Sequence, residues 1–340
     1  LKSPIVCLFF TWLLTGFSVL RAQESVVICT DSTFCVPAVF GMTRSKAIII
    51  KQERVFDYRI RSDGSEAGLG TGEDDVQFNK RWQFKFRFPV IMKPGFKLAM
   101  GLEYFKEEYH FEGFPENDYP LYQSLDDKPL RSIGSTFYLV KPWLGNRYFM
   151  MRMGIKFNGD EGLGNMLESD KLRVSVAPLI GWKKNPYTSY AFGFAYSYDF
   201  GRQRVYPVIS YNHTFNNRLG LETILPLEVK LRYTLSEKNL FFATTEFNGA
   251  TYNISLDDPS FPEDEDYYLR KSEIRFLFTY EREIHDWLWF SLETGMRSNI
   301  TFELVDSPKS DANTVIDNDF NSAFLFSASI FIVPPRKFLN

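Results

Sequence analysis

The sequence predicts an all-β fold, an antiparallel transmembrane β-barrel of about fourteen strands, with twelve as the alternative. Three features point there. Apolar and polar side chains alternate over long stretches, and the connections between those stretches alternate between long and short. Aromatic residues are abundant, 17% of 340 residues, yet the mean hydropathy is only −0.22. That value is too low for a bundle of membrane helices, each of which needs about 20 apolar residues. The composition also excludes disordered and collagen-like chains. A formal charge of −3 gives no electrostatic reason to expect nucleic acid.

The first segment reads as an export signal. Lys2 precedes the apolar run 5–20, and Arg21-Ala22-Gln23 follows, so cleavage is expected after Ala22 or Gln23. A retained membrane anchor is the alternative. The expected organisation is a signal peptide at 1–22, an N-terminal periplasmic segment at 23–44, a barrel at 45–335 and a tail at 336–340. Cys29 and Cys35 remain after cleavage. In an oxidising compartment they form either a small disulfide loop or two free thiols. A metal pair is a poor reading, because two thiols without a nearby His make an incomplete site.

Period-two alternation then dominates, as expected where successive side chains of a strand point to opposite faces. In 82–88, Trp82, Phe84, Phe86 and Phe88 alternate with Gln83, Lys85 and Arg87. The pattern recurs at 96–104, 151–157, 227–235 and 288–297. The expected strands are 48–60, 81–92, 96–111, 131–143, 147–158, 171–183, 187–200, 204–215, 219–235, 239–254, 270–284, 287–304 and 321–333. That makes thirteen, and it would place the long segment 255–269 on the wrong side. Splitting 219–235 near Leu225-Pro226 restores the alternation, since proline cannot donate to a ladder. Fourteen strands then put every long loop on one side, as in outer-membrane barrels. Trp82, Tyr104, Trp143, Tyr148, Trp182, Tyr187, Trp287 and Trp289 are candidates for aromatic girdles.

The alternation also assigns faces. Phe84, Phe86, Phe88, Leu98, Met100, Ile155, Leu231, Phe290 and Phe326 are expected to face lipid. The lumen-facing candidates are Lys85, Arg87, Lys97, Arg152, Lys156, Arg173, Lys230, Arg232, Arg275 and Arg297, with Glu103, Glu228, Glu246, Glu273, Glu281 and Glu293. This is ten basic groups against six acidic. An excess of unpaired charge is easier to hydrate in a pore than to bury in a plug.

The run Gly220-Leu221-Glu222-Thr223-Ile224-Leu225-Pro226, then Leu231-Arg232-Tyr233-Thr234-Leu235-Ser236, and then Asn248-Gly249 with Tyr252 resemble a family of Gram-negative outer-membrane β-barrels typical of Bacteroidota, known as a domain of unknown function. The resemblance covers roughly residues 45–335 and implies the barrel and its location without an activity. One departure is the ending: Phe331-Ile332-Val333 is followed by Pro334-Pro335-Arg336-Lys337-Phe338-Leu339-Asn340, in place of a final aromatic strand residue.

No catalytic constellation stands out. His213 has Thr214 beside it, and Ser210, three residues away, belongs to the other face of a regular strand. His110 and His285 read as strand-end residues. The loops carry Glu116, Asp118, Tyr119, Asp126 and Asp127, and then Asp257, Asp258, Glu263, Asp264, Glu265, Asp266, Tyr267 and Tyr268. These read as solvated loops, since no spacing matches a calcium loop. The expected function is a passive, anion-biased channel or transporter for small solutes, located in outer-membrane lipid and without a cofactor. The alternative is a structural or interaction barrel that presents the acidic, aromatic loops to a partner.

Overall fold

The computed structural model describes residues 37–338, apart from 66–67, 94, 114–118, 144, 163, 257, 260 and 263–265. The expected signal peptide, Cys29 and Cys35, and the loop carboxylates Glu116, Asp118, Asp257 and Glu263–Glu265 lie outside the described residues. The strands are β1 (Ile48–Asp63), β2 (Thr71–Lys93), β3 (Phe96–Phe111), β4 (Leu130–Pro142), β5 (Arg147–Gly159), β6 (Leu172–Asn185), β7 (Thr188–Ser197), β8 (Arg204–Thr214), β9 (Leu219–Leu225), β10 (Glu228–Ser236), β11 (Asn239–Ile254), β12 (Tyr267–His285), β13 (Leu288–Val305), β14 (Thr314–Phe320) and β15 (Ala323–Ile332). Each antiparallel neighbour follows the last, and β1 closes the ring on β14 and β15.

β14 and β15 are one stave of the barrel. Against β1, Ile60 faces Phe320 and Val55 faces Leu325, five residues on along each chain. Against β13, Glu303 faces Asp317 and Arg297 faces Ala323, six residues on along each. The register runs through Asn321-Ser322 without a shift, so fifteen segments make fourteen staves. The expected break at Leu225-Pro226 is there: β9 ends at Leu225, and Pro226-Leu227 turn into β10, as the alternation of connections requires. All the longer loops emerge at one rim, here called upper: 64–70, 112–129, 160–171, 198–203, 255–266 and 306–313. The basal rim has turns of two to four residues, from 94–95 to 286–287.

Several expectations need correction. β2 begins at Thr71 and β12 at Tyr267, so two expected loops are partly strand, and β14 was not expected at all. The strands together run over 48–332, inside the expected 45–335. A short helix, α1 (Pro120–Asp127), interrupts the β3–β4 loop. Pro120 suits a first helical position, and Leu121, Tyr122 and Leu125 form its buried face.

The outer surface changes character with height. Toward the basal rim it is apolar: Phe84, Ile155, Leu231 and Phe326 are exposed. Phe86, Phe88, Leu98, Met100 and Phe290 are half-buried beside such neighbours; Phe86, for example, pairs with exposed Leu102. Exposed Trp143, Tyr187 and Trp287 mark the basal edge of this band, and Trp82 its upper edge on β2. Above it the same face of β1 and β2 is charged, with Arg59–Asp75 at 2.9 Å and Arg61–Glu73 at 3.1 Å. An apolar belt between aromatic edges is the outside of a membrane-spanning barrel. Two girdle candidates belong elsewhere: Tyr148 and Trp289 are buried.

Tyr148 explains one glycine. It faces Gly181 across the β5–β6 ladder, and a Cβ on Gly181 would occupy the Tyr148 ring. The ring is fully buried, with its hydroxyl 2.8 Å from Ser189 Oγ. Gly181→Val is expected to destabilise the barrel by about 1–3 kcal/mol through overpacking. Denaturant titration of the refolded protein would check this, and an unchanged midpoint would contradict it.

Candidate functional site: the barrel interior

The interior is stacked in layers. At the upper rim lies an apolar core in which α1 contributes Leu121, Tyr122 and Leu125, and the walls contribute Tyr58, Ile60, Tyr109, Phe302 and Leu304. Tyr122 stacks on Phe111 at 5.0 Å, and its hydroxyl lies 2.7 Å from Ser62 Oγ. α1 therefore caps the upper mouth from within. Tyr119, Tyr267 and Tyr268, expected to be displayed on loops, are buried.

Beneath the core runs an ion lattice. Arg81 grips Glu273 through two bonds of 2.7 and 2.9 Å, and also reaches Glu53 and Glu107 at 3.0 Å. Lys271 bonds Glu107, and Arg275 bonds Glu53 and, at 2.9 Å, Glu246. Lys51 joins Glu293 at 2.5 Å, and Arg297 approaches Glu273 at 3.7 Å. The lattice thus has five cations, Lys51, Arg81, Lys271, Arg275 and Arg297, and five carboxylates, Glu53, Glu107, Glu246, Glu273 and Glu293.

The lattice is balanced within itself, but it adds three cations and two carboxylates to the ten and six expected, so the excess of lumenal positive charge stays, and it lies outside the lattice. Half of the lattice, Lys51, Glu53, Arg81, Glu107 and Lys271, was absent from the lumen-facing candidates. The missing carboxylates are not Asp57, which is exposed, but Glu53 and Glu107. Alternation carried from Glu103 through Phe105 reaches Glu107, and carried back from Gln83 it reaches Arg81.

The other candidates are dispersed. Lys85 and Lys156 share Glu103 at 3.2 and 3.1 Å. Glu228 pairs with Lys230 at 3.0 Å. Buried Arg232 bonds Glu222 at 3.1 Å. Arg87 and Lys97 belong to the basal half, with Arg87 5.9 Å over the ring of Tyr138. Glu281 bonds Lys46 at 2.5 Å.

Lys46 belongs to a strap across the basal mouth. Residues 37–46, of which 37–44 were expected to be periplasmic, are anchored at β6–β8 by Phe40 N–H donating to Pro186 O at 2.8 Å and by Thr214 Oγ1 donating to Phe40 O at 2.6 Å. At the far side Arg44 bonds Asp286 at 3.1 Å and Glu283 at 3.3 Å, before Ala47 enters the wall beside Ile332. β8 stands opposite β1 in the ring, so the strap spans the opening. The tail returns to the same turn, with Arg336 2.7 Å from Asp286. Burial opposes ionisation of Asp286, but the Arg336 N–H and both guanidinium groups hold its carboxyl below the usual range.

The staves do not all reach the upper rim. Above Asn158, the edge of β5 leaves β6 and pairs Gly159 with Asn253 of β11. Asn158 Nδ2 donates to Thr251 O at 3.1 Å, and Asp160 accepts from Ser255 N–H at 2.9 Å, its carboxyl pushed up by burial. Nine staves therefore form the upper part, and β6–β10 form a side lobe below it. β9 pairs with β8 only from Ile209 onward, and β10 with β11 only to Glu246. The loop 198–203 crosses the resulting seam: Thr251 Oγ1 donates to Gly201 O at 2.9 Å, and Phe200 meets Phe247 at 5.5 Å.

Between the lobe and the ion lattice lies a cavity of about 470 Å³. Arg152, Lys156, Arg173, Ser197 and Asp199 line one side of it, and Phe105, Leu227 and Phe247 give it an apolar part. Among the described residues no group of His, Cys, Asp or Glu is placed to hold a metal ion.

The fold and its belt define a membrane-spanning β-barrel. The chain belongs to the family described as Domain of unknown function (DUF6268), which matches residues 147–332, more than half of it. No curated protein matches its sequence. Among solved structures it is similar to a Pseudomonas aeruginosa FadL homologue, at 11% identity and a TM-score of 0.41, over 85% of this chain and 90% of that one. It is also similar to the Pseudomonas putida toluene transporter TodX, at 7% identity and a TM-score of 0.33, over 84% of this chain and 89% of that one. The NanC porin is 8% identical with a TM-score of 0.34, over 85% of this chain and all of that one.

Proposed function

We propose that this barrel resides in the outer membrane of a Gram-negative cell, of the Bacteroidota type its sequence resembles, after export by its N-terminal signal. We further propose that it is a non-enzymatic transporter of small solutes, which pass through the cavity on the β5–β11 side and not along the barrel axis. The observation that carries this reading is the closure of the axis: α1 and the apolar core fill the upper mouth, and the strap 37–46 crosses the basal one. The cavity is a sizeable polar space off that axis, and its volume suits a small molecule. A standing pore along the axis, the simpler expectation, has no support where the apolar core and the strap lie across it.

Its partners on this reading are membrane lipid and solute, with no nucleic acid. His213 supports a non-catalytic role, since its ring meets Thr188 Oγ1 at 2.8 Å, a partner without an acid to orient it. The interaction reading loses its displayed aromatics, because Tyr119, Tyr267 and Tyr268 are buried.

Reconstitution tests the proposal. Proteoliposomes are expected to equilibrate small organic solutes, while planar bilayers carry brief, small openings and no large steady steps. Replacing Arg44 with Ala, which releases the strap from Asp286 and Glu283, is expected to lengthen the openings. A folded barrel that passes nothing, with or without Arg44, would sink the transport reading. Large steady steps from the intact chain would sink the closed-axis part.

A further inference from the structure

We propose that Arg173 and Arg152 form a binding site for a small organic anion carrying an apolar portion, and that this is the class of solute the cavity takes. The inference rests on the transport reading for its biological sense, but the site stands on its own geometry.

Arg173 is 5% exposed, and its Nε and Nη2 have no hydrogen-bond partner among the described residues. Its Nη1 donates to the carbonyls of Asp170 and Leu172, at 2.5 and 2.9 Å. The rings of Tyr198 and Tyr268 lie 5.8 and 5.4 Å from the guanidinium carbon and hold it in place. A buried guanidinium with two idle donors is costly. A carboxylate or phosphate monoester would satisfy both donors with charge-assisted bonds, the strongest kind available to it.

Arg152, on the neighbouring strand, is its exposed counterpart. It lines the same cavity, remains accessible, and makes no ion pair or hydrogen bond among the described residues. Lys156, directly across the ladder from Arg173, is partly neutralised by Glu103. Asp199, the other carboxylate on this side, already accepts from Ser197 and Tyr206 at 2.7 Å each.

Outside the lattice the lining has four cations, Lys85, Arg152, Lys156 and Arg173, against three carboxylates, Glu103, Asp199 and Glu228, the last already paired with Lys230. This end of the cavity is net positive, although the adjoining lattice is balanced. Phe105, Leu227 and Phe247 provide contact for an apolar portion. An inorganic anion would leave that surface unused.

Equilibrium binding to the purified, refolded barrel in detergent tests the site without requiring transport. The probes are benzoate, its neutral counterpart benzamide, and inorganic phosphate. Benzoate is expected to bind at least 10-fold more tightly than either. Arg173→Gln should weaken benzoate about 10-fold or more, and Arg152→Gln several-fold. Arg152 makes no ion pair or hydrogen bond among the described residues, so its variant should fold even where the other does not. Equal binding of benzoate and benzamide, or folded variants of wild-type affinity, would overturn the site. Phosphate binding as tightly as benzoate would overturn its organic character. Stoichiometric displacement of benzoate by an anionic phospholipid would assign the site to a headgroup and overturn the cargo assignment. Binding without passage into liposomes would sink the transport reading and leave the site intact. Passage without charge preference or binding would do the reverse.

Discussion

Replacing Arg81 with Met is expected to unfold this barrel more readily than any conservative change on its surface. Arg81 is 6% exposed and holds three carboxylates, Glu53, Glu107 and Glu273. Removing it leaves those groups close together, buried, with one fewer cation between them. Breaking a buried ion pair from one side costs about 3–5 kcal/mol, because the remaining charge is stranded. Adding Glu273→Gln should return part of the loss, since it removes one of the stranded charges, and a double-mutant cycle would expose that coupling. Denaturant titration of the refolded protein, followed by heat-modifiable gel migration, would measure it. A loss below about 1 kcal/mol would mean that bulk water screens the lattice as it does surface pairs, and the closed axis would have to be abandoned.

The second large effect concerns the outer face. Phe86 lies within the apolar belt, paired with Ile48 and exposed Leu102. Phe86→Arg places a charge in hydrocarbon, at a cost of about 2–4 kcal/mol near the midplane. Its neighbour Arg87 points inward and stacks loosely over Tyr138, so Arg87→Gln should cost much less. Assembly into liposomes, scored by protease protection, would separate the two. Equal defects would mean that the inward and outward faces of β2 are wrongly assigned.

The wall was legible in the sequence because a strand's periodicity is local. Trp82 to Phe88 declares both faces of β2 without reference to any other strand, and Leu225-Pro226 declares a turn because proline lacks the donor a ladder needs. The interior was less legible. Glu53 and Glu107 lie in phase with residues assigned to the lumen, but nothing local says that they meet Arg275 and Lys271 of the distant β12. A count of inward charges alone therefore could not separate a paired lattice from an open pore. α1 was hidden for a similar reason. Eight residues with three apolar side chains look like any loop until the core they fill is known. The strap and the β5–β11 contact are contacts between parts of the chain far apart in sequence, and alternation carries no information about them. Arg152 and Arg173 were both read as facing inward, but which lumenal cations lack partners emerges only from three-dimensional pairing.

The unequal staves have a consequence for the lipid. A tilted strand needs roughly 9–11 residues to cross the hydrocarbon core. β1, β3 and β11 have 16 residues each and can shift in height without losing their span, but β9 has 7 and β10 has 9. Hydrophobic mismatch is therefore not shared evenly around the circumference. A thicker bilayer loads the two shortest staves first, and those staves carry the side wall of the cavity next to Leu227. Membrane thickness thus becomes a mechanical input to the proposed solute site, delivered where the staves are shortest.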